Sequence, residues 1–215
     1  MVDEYLSERE QAELLRQWLR ENWLWLFSGI ALGLGGLYGY RWWEGHHEQR
    51  SLAAEQRFTA MLAALERNAR DEGVRIAGEI TGEYDDTPYA DQTTLVLARL
   101  DVEAGVLAQA ANRLGSVMNT SRDPELALVA RLRLARVQLA QGQYDAALAT
   151  LDGAKPAAAA ARVAELRGDV LQARGDLAGA LAAYQQAQQA AAGGQVDPEL
   201  LALKIESLAA QQKVE

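Results

Sequence analysis

Between Glu21 and Arg41 the chain runs for 19 residues without a charge, NWLWLFSGIALGLGGLYGY, and beyond it apolar residues return at helical spacing almost to the end. As a helix the uncharged run measures roughly 28 Å at about 1.5 Å per residue, close to the ~30 Å hydrocarbon core of a bilayer. Trp23 and Trp25 flank one end, and Tyr38, Tyr40, Trp42 and Trp43 flank the other. Amphipathic rings favour the headgroup level, so the pattern predicts a single transmembrane helix over 22–43. A cleavable signal peptide would open on a basic region and close on small residues. Here the preceding segment, 1–21, is mainly acidic, and the run closes on Tyr40, Arg41, Trp42 and Trp43, so the helix is expected to be retained.

Gly29 and Gly33 make one small-xxx-small step, and Gly35 and Gly39 make another. With Gly36 they leave a side on which a second membrane helix can approach closely. Charge does not orient the span: Arg9, Arg16 and Arg20 precede it, and Arg41, Arg50 and Arg57 follow it. The positive-inside rule is tied.

Residues 44–86 read as a linking helix to about 70 that continues from the span, then a shorter helix at about 71–84. The sequence GEYDDTP marks a break. From 87 to 215 the chain repeats itself. Its four prolines, Pro88, Pro124, Pro156 and Pro198, each read as a first helical residue, three of them behind the capping residues Thr87, Asp123 and Asp197. The first three openings lead to an apolar helix ending at Gly105, Gly142 and Gly175, where a left-handed turn favours glycine. A second apolar helix follows each. The turn glycines are spaced by 37 and 33 residues.

Aligned on those glycines, small residues fall seven before (Ala98, Ala135, Gly168) and five after (Ala110, Ala147, Ala180). Large residues fall nine after, at Leu114, Leu151 and Tyr184, to fill the gap between neighbouring units. This helix–turn–helix unit, at a period near 34, resembles the tetratricopeptide repeat. LRLARVQLAQGQYDAALATL (132–151) and LRGDVLQARGDLAGALAAY (166–184) match best. The first unit has Asp101 where such repeats usually carry an aromatic. Residues 198–212 would be the solvating cap that terminal repeats require. The expected fold is thus all-α: one N-terminal transmembrane helix, then an α-solenoid of tetratricopeptide-like hairpins. An irregular alanine-rich helical bundle is the alternative, which three superposable units disfavour.

Composition narrows the chemistry. A net charge of −9 argues against a phosphate backbone as partner, so no nucleic acid is expected. No cysteine is present, which removes thiol catalysis and cysteine zinc sites. The only histidines, His46 and His47, are adjacent and so point about 100° apart on a helix, unlike a metal-binding i, i+4 pair. No phosphate loop or nucleophile motif occurs, and no catalytic, cofactor or metal residue is expected.

The order of anchor, linking helix and repeats resembles one family over nearly the whole chain: the YfgM family of ancillary SecYEG translocon subunits. The stretches carrying the likeness are GLYGYRWWEGHH (36–47), TPYADQTTLVLARL (87–100), LRLARVQLAQGQYDAALATLD (132–152) and AELRGDVLQARGD (164–176). The resemblance implies a non-enzymatic protein of the bacterial inner membrane, its N-terminus cytoplasmic and its repeats periplasmic. It implies as partners the SecYEG channel and a PpiD-type periplasmic chaperone, with exported client chains nearby. A self-associating envelope scaffold, joined through the glycine side and independent of export, is the alternative.

In such solenoids the first helix of each unit lines a concave groove. The glycine register assigns to it Gln92, Leu95, Arg99 and Val102, then Val129, Leu132, Arg136 and Leu139, then Arg162, Glu165, Asp169 and Gln172. Aliphatic and Arg side chains together can accept an extended or helical segment of a partner, provided that neither helices 44–84 nor the C-terminal cap covers this face.

Overall fold

The computed structural model describes residues 8–154, 159–190 and 196–212 of the chain. Pro156 and residues 1–7 of the N-terminal segment lie outside these. Among the described residues the structure holds nine helices: α1 (Glu8–Glu66), α2 (Arg70–Glu83), α3 (Pro88–Glu103), α4 (Leu107–Thr120), α5 (Pro124–Ala140), α6 (Tyr144–Asp152), α7 (Ala160–Arg174), α8 (Leu177–Ala190) and α9 (Pro198–Gln212). The chain divides into two compact units, Met1–Leu52 and Ala53–Glu215.

In the first unit, the stretch expected to cross a membrane is continuously helical, but the expectation needs correction. Among the described residues, no helix is long and apolar enough to cross a membrane. The cause is in the residues themselves. Gly29, Gly33, Gly35, Gly36 and Gly39 supply no side-chain carbon, and the flanking Trp and Tyr carry polar atoms that dilute the leucines. The stretch is nevertheless apolar on every side: Leu24, Trp25, Phe27, Ile30, Leu32 and Leu34 are all exposed. A helix hydrophobic all round is one that something else covers.

The second unit is built from hairpins that all close alike. Gly105, Gly142 and Gly175 have φ of 74°, 73° and 91°, the left-handed turns that the sequence predicts. The N–H of each donates to the carbonyl three residues back, and the next N–H to the carbonyl five back, at 2.8–3.0 Å. This pairing satisfies carbonyls that a helix end would otherwise leave bare. A fourth turn does the same. Asn68, at φ 60°, donates to Leu65 O, and Ala69 donates to Ala64 O. Asn is among the few residues besides Gly that enter this region readily. The end of α1 and α2 therefore form a hairpin of the same kind, ahead of α3/α4, α5/α6 and α7/α8.

Pro88, Pro124 and Pro198 open α3, α5 and α9 as expected. Asp123 and Asp197 cap their helices through Oδ1, each accepting from two backbone N–H groups. Thr87 does not: its hydroxyl donates back to Tyr84 O, and α3 starts without a side-chain cap.

The buried residues show why hairpins stack. Each of the four apolar clusters joins both helices of one hairpin to the first helix of the next. Met61, Ile76, Ala77 and Ile80 pack with Leu97 and Leu100. Ala98, Ala110 and Leu114 pack with Ala130, Leu134 and Val137. Ala135, Ala147 and Leu151 pack with Leu166 and Val170, and Ala180 and Tyr184 with Leu201 and Leu208. No hairpin completes its core alone, so the unit grows by neighbours and needs an end.

The left-handed turns give a direct test. Gly142→Val forces a β-branched side chain into a positive φ and should cost roughly 1–2 kcal/mol, read as a lower thermal unfolding midpoint by circular dichroism. Asn68→Gly relieves the same constraint and should leave the midpoint unchanged or raise it.

Candidate functional site

Within each hairpin the two helices touch at fixed places counted from the turn. Four residues before it and eight after, the second hairpin carries Asp101 and Arg113 as an ion pair at 2.8 Å. The third carries Gln138 and Thr150 as a hydrogen bond of 2.8 Å, and the fourth has Leu171 and Ala183 within one apolar cluster. Asp101 thus stands in place of the usual aromatic because Arg113 from the facing helix pairs with it. Seven before and nine after, small meets large. A Cβ added at Gly168 would lie 2.3 Å from the Tyr184 ring, so glycine there is what lets the ring lie against α7. Tyr184 thus lies against α7 of its own hairpin and also joins the cluster shared with α9, as Leu151 joins the cluster shared with α7 of the next unit.

The twelve groove positions fare differently along the array. Leu95, Arg99, Val102 and Arg136 come together around a cavity of about 320 Å³ between α3 and α5, above α4. Arg133 joins them, a residue that the glycine register does not assign to the groove. It lies three residues before Arg136, on the same helix face, which is the signal that could have found it. Gln92 is half-buried, and Val129 is packed against the core of the second hairpin. Leu132 is a buried core residue and Leu139 packs against the same cluster, so neither lines an open surface. Their apolar faces are drawn into the joint between the third and fourth hairpins.

Three of the four positions of α7 are taken up within the chain. Arg162 is exposed, but Glu165, Asp169 and Gln172 are engaged by the chain itself. Lys204 of α9 reaches Glu165 Oε1 at 2.8 Å and Asp169 Oδ1 at 2.7 Å. The Tyr184 hydroxyl lies 2.8 Å from the same Asp169 oxygen and 2.9 Å from Gln172 Oε1. Its proton serves the carboxylate, the stronger acceptor. Lys204 also sits over the Tyr184 ring, 5.3 Å from its centroid. Burial pulls the Lys204 ammonium down, but its bonds to Asp169 and Glu165 outweigh that and leave it raised. Burial and Asp169 push the Tyr184 phenol well above its ordinary value. The cap helix closes this end of the face.

Elsewhere the candidates stay apart. Gly29, Gly33 and Gly36 share one side of α1 by helical steps of roughly 100°, with Gly35 and Gly39 on the adjoining side. A Cβ at any of the five would meet nothing within 4 Å, so both sides are open. His46 stacks on Trp42 at 5.9 Å and His47 on Trp43 at 5.2 Å, each pair one helical turn apart. Among the described residues no group of three or more His, Cys, Asp or Glu is placed to hold a metal.

Comparison with known proteins supports the architecture and extends it. Residues 16–210 match the tetratricopeptide repeat-like domain family. The chain is 34% identical over 95% of its length to a protein of Escherichia coli K12 named ancillary SecYEG translocon subunit, covering 98% of that protein. Proteins of the same name from Haemophilus influenzae and Neisseria gonorrhoeae are 28% and 29% identical, over 94% and 95% of this chain and 98% of each relative. Among solved structures, MamA 41-end from Desulfovibrio magneticus RS-1 is similar in fold, with a TM-score of 0.52 at 18% identity over 75% of this chain and 96% of that one.

The Lys204–Tyr184 cluster makes stability depend on alkaline pH. Both groups have raised values in the folded state, so below about pH 10 each is protonated folded and unfolded, and its contribution is complete. Above that, the unfolded chain releases protons that the folded one retains, and stability falls as pH rises. Thermal midpoints measured from pH 8 to 11 should drop past about pH 10, and the Lys204→Met, Tyr184→Phe double variant should show a shallower drop.

Proposed function

The chain belongs to the tetratricopeptide repeat-like family of the ancillary SecYEG translocon subunits, and on that premise we propose that it is a non-enzymatic interaction subunit of the translocon at the bacterial inner membrane. The observation that carries this reading is the pairing of two open surfaces on one chain. One is the all-round apolar stretch of α1 with its uncovered glycines. The other is the Arg-rimmed cavity of the repeat unit.

The first surface meets the translocon. A stretch too poor in aliphatic carbon to cross a membrane by itself gains what it lacks when protein helices pack on its glycines, because close backbone contact replaces the missing side chains. In this arrangement the N-terminal segment lies on the cytoplasmic side and the repeats face the periplasm. There the repeat groove meets folding factors, with a PpiD-type chaperone and emerging client chains as its partners.

The full chain, tagged and solubilised mildly from native membranes, should co-purify SecYEG subunits. Gly33→Ile with Gly35→Ile should reduce their recovery severalfold without moving the unfolding midpoint of the repeats. Wild-type protein that brings down no translocon subunit would end this reading. A concentration-dependent dimer lost on the same double substitution would support the self-associating scaffold instead. A protease-accessible C-terminus on the cytosolic face would overturn the orientation.

A further inference from the structure

We infer that the cavity between α3 and α5 accepts a bulky apolar side chain from a partner segment that carries carboxylates on either side of it. This names the partner chemistry of the repeat groove and rests on the reading of that groove as an interaction surface.

The cavity has a dry floor and a cationic rim. Leu95, Ala98, Leu114 and Val137 are all buried and present only carbon. A volume of about 320 Å³ lies at the small end of ligand pockets and suits one anchoring side chain rather than a cofactor. Around it stand Arg99, Arg133 and Arg136. Among the described residues, neither Arg133 nor Arg136 has an ion-pair partner. Arg99 has only Glu103, one turn on and 3.5 Å away, with both side chains more than half exposed. Such an exposed helical pair contributes a few tenths of a kcal/mol and exchanges readily.

This local excess runs against the chain as a whole, which carries 30 acidic and 21 basic residues. Several arginines elsewhere in the repeat unit face carboxylates, Arg57 with Glu79, Arg113 with Asp101, Arg167 with Asp152 and Arg174 with Asp145, while Arg70 and Arg131 donate to the carbonyls of Leu100 and Thr150. Three guanidinium groups around one apolar hole, two of them outside any ion pair among the described residues, therefore favour an occupant that brings negative charge. Guanidinium binds carboxylate through paired N–H donors, so acidic side chains fit it better than a diffuse negative field would. The other end of the face shows the complementary device at work within the chain. There α9 brings Leu201, Leu208 and a single Lys204 to an apolar joint edged by Glu165 and Asp169. The net charge of −9 disfavours a nucleic acid in the same place.

The test uses the full-length protein in detergent and a fluorescein-labelled decapeptide with one central phenylalanine flanked on both sides by glutamates. Fluorescence anisotropy should show saturable binding. It should weaken at least tenfold when the glutamates become glutamines, when the phenylalanine becomes alanine, or in the Arg133→Gln, Arg136→Gln variant. Both arginines are exposed, so an unchanged unfolding midpoint separates lost binding from lost folding. Equal binding of the glutamine peptide, equal binding by the variant, or Arg-dependent binding of a single-stranded oligonucleotide in preference to the peptide would each overturn the inference. Peptide binding with no SecYEG co-purification leaves this site standing and removes the translocon reading. Co-purification with no peptide binding does the reverse.

Discussion

Every hairpin in the repeat unit closes through one pair of backbone hydrogen bonds, from a left-handed residue and its successor to carbonyls three and five residues back. That closure fixes where the chain reverses, and so which residues of the two helices meet. Once it is set, positions seven before and nine after must share a fixed space. One small and one large residue fill it, in either order: Ala98 with Leu114, Ala135 with Leu151, Gly168 with Tyr184, and Met61 with Ala77. The core follows from the turn.

The same constraint leaves each hairpin with an apolar flank for the next, so the array needs a termination. α9 supplies it with Leu201 and Leu208 on the apolar side and Lys204 on the polar one. Asp169 then accepts from both Lys204 and Tyr184, which couples the last hairpin's filling residue to the cap through one carboxylate. A partly buried charge network at a joint favours one arrangement over others, because a shift would cost Lys204 its two carboxylate partners.

How much of this was legible depends on the range of the interaction. The three turn glycines were legible, because a positive φ favours glycine locally, and the repeats aligned on them. The proline-led starts of α3, α5 and α9 were legible in their own right, and the family in the order of anchor, linking helix and repeats. The first hairpin was not counted among the repeats because Asn68 takes the glycine's place and Met61 with Ala77 inverts the size order. Both changes keep the physics and break the letters. The closed face of α7 was illegible for another reason: Lys204 reaches Asp169 across 35 residues, and nothing local to either marks the partner. The α1 stretch was read correctly in shape and too generously in apolarity. Its aromatic belts and length were plain, but the glycines that suggest helix packing are the same residues that deprive it of carbon.

That double effect of glycine bears on how the chain works. A leucine in place of Gly33 or Gly35 would make α1 a more self-sufficient membrane helix and a worse partner for another helix. The sequence keeps five open glycines instead, so the stretch is left incomplete without neighbours. The repeat unit makes a parallel choice. Its C-terminal face is completed internally by Lys204, while Arg99, Arg133 and Arg136 surround a hole that nothing in the described chain fills. In the first unit larger aliphatic side chains could have closed the surface, and in the second a bulky apolar side chain with carboxylates beside it. Surfaces left unfinished at so small a cost in sequence are the places on this chain that another helix or segment could complete.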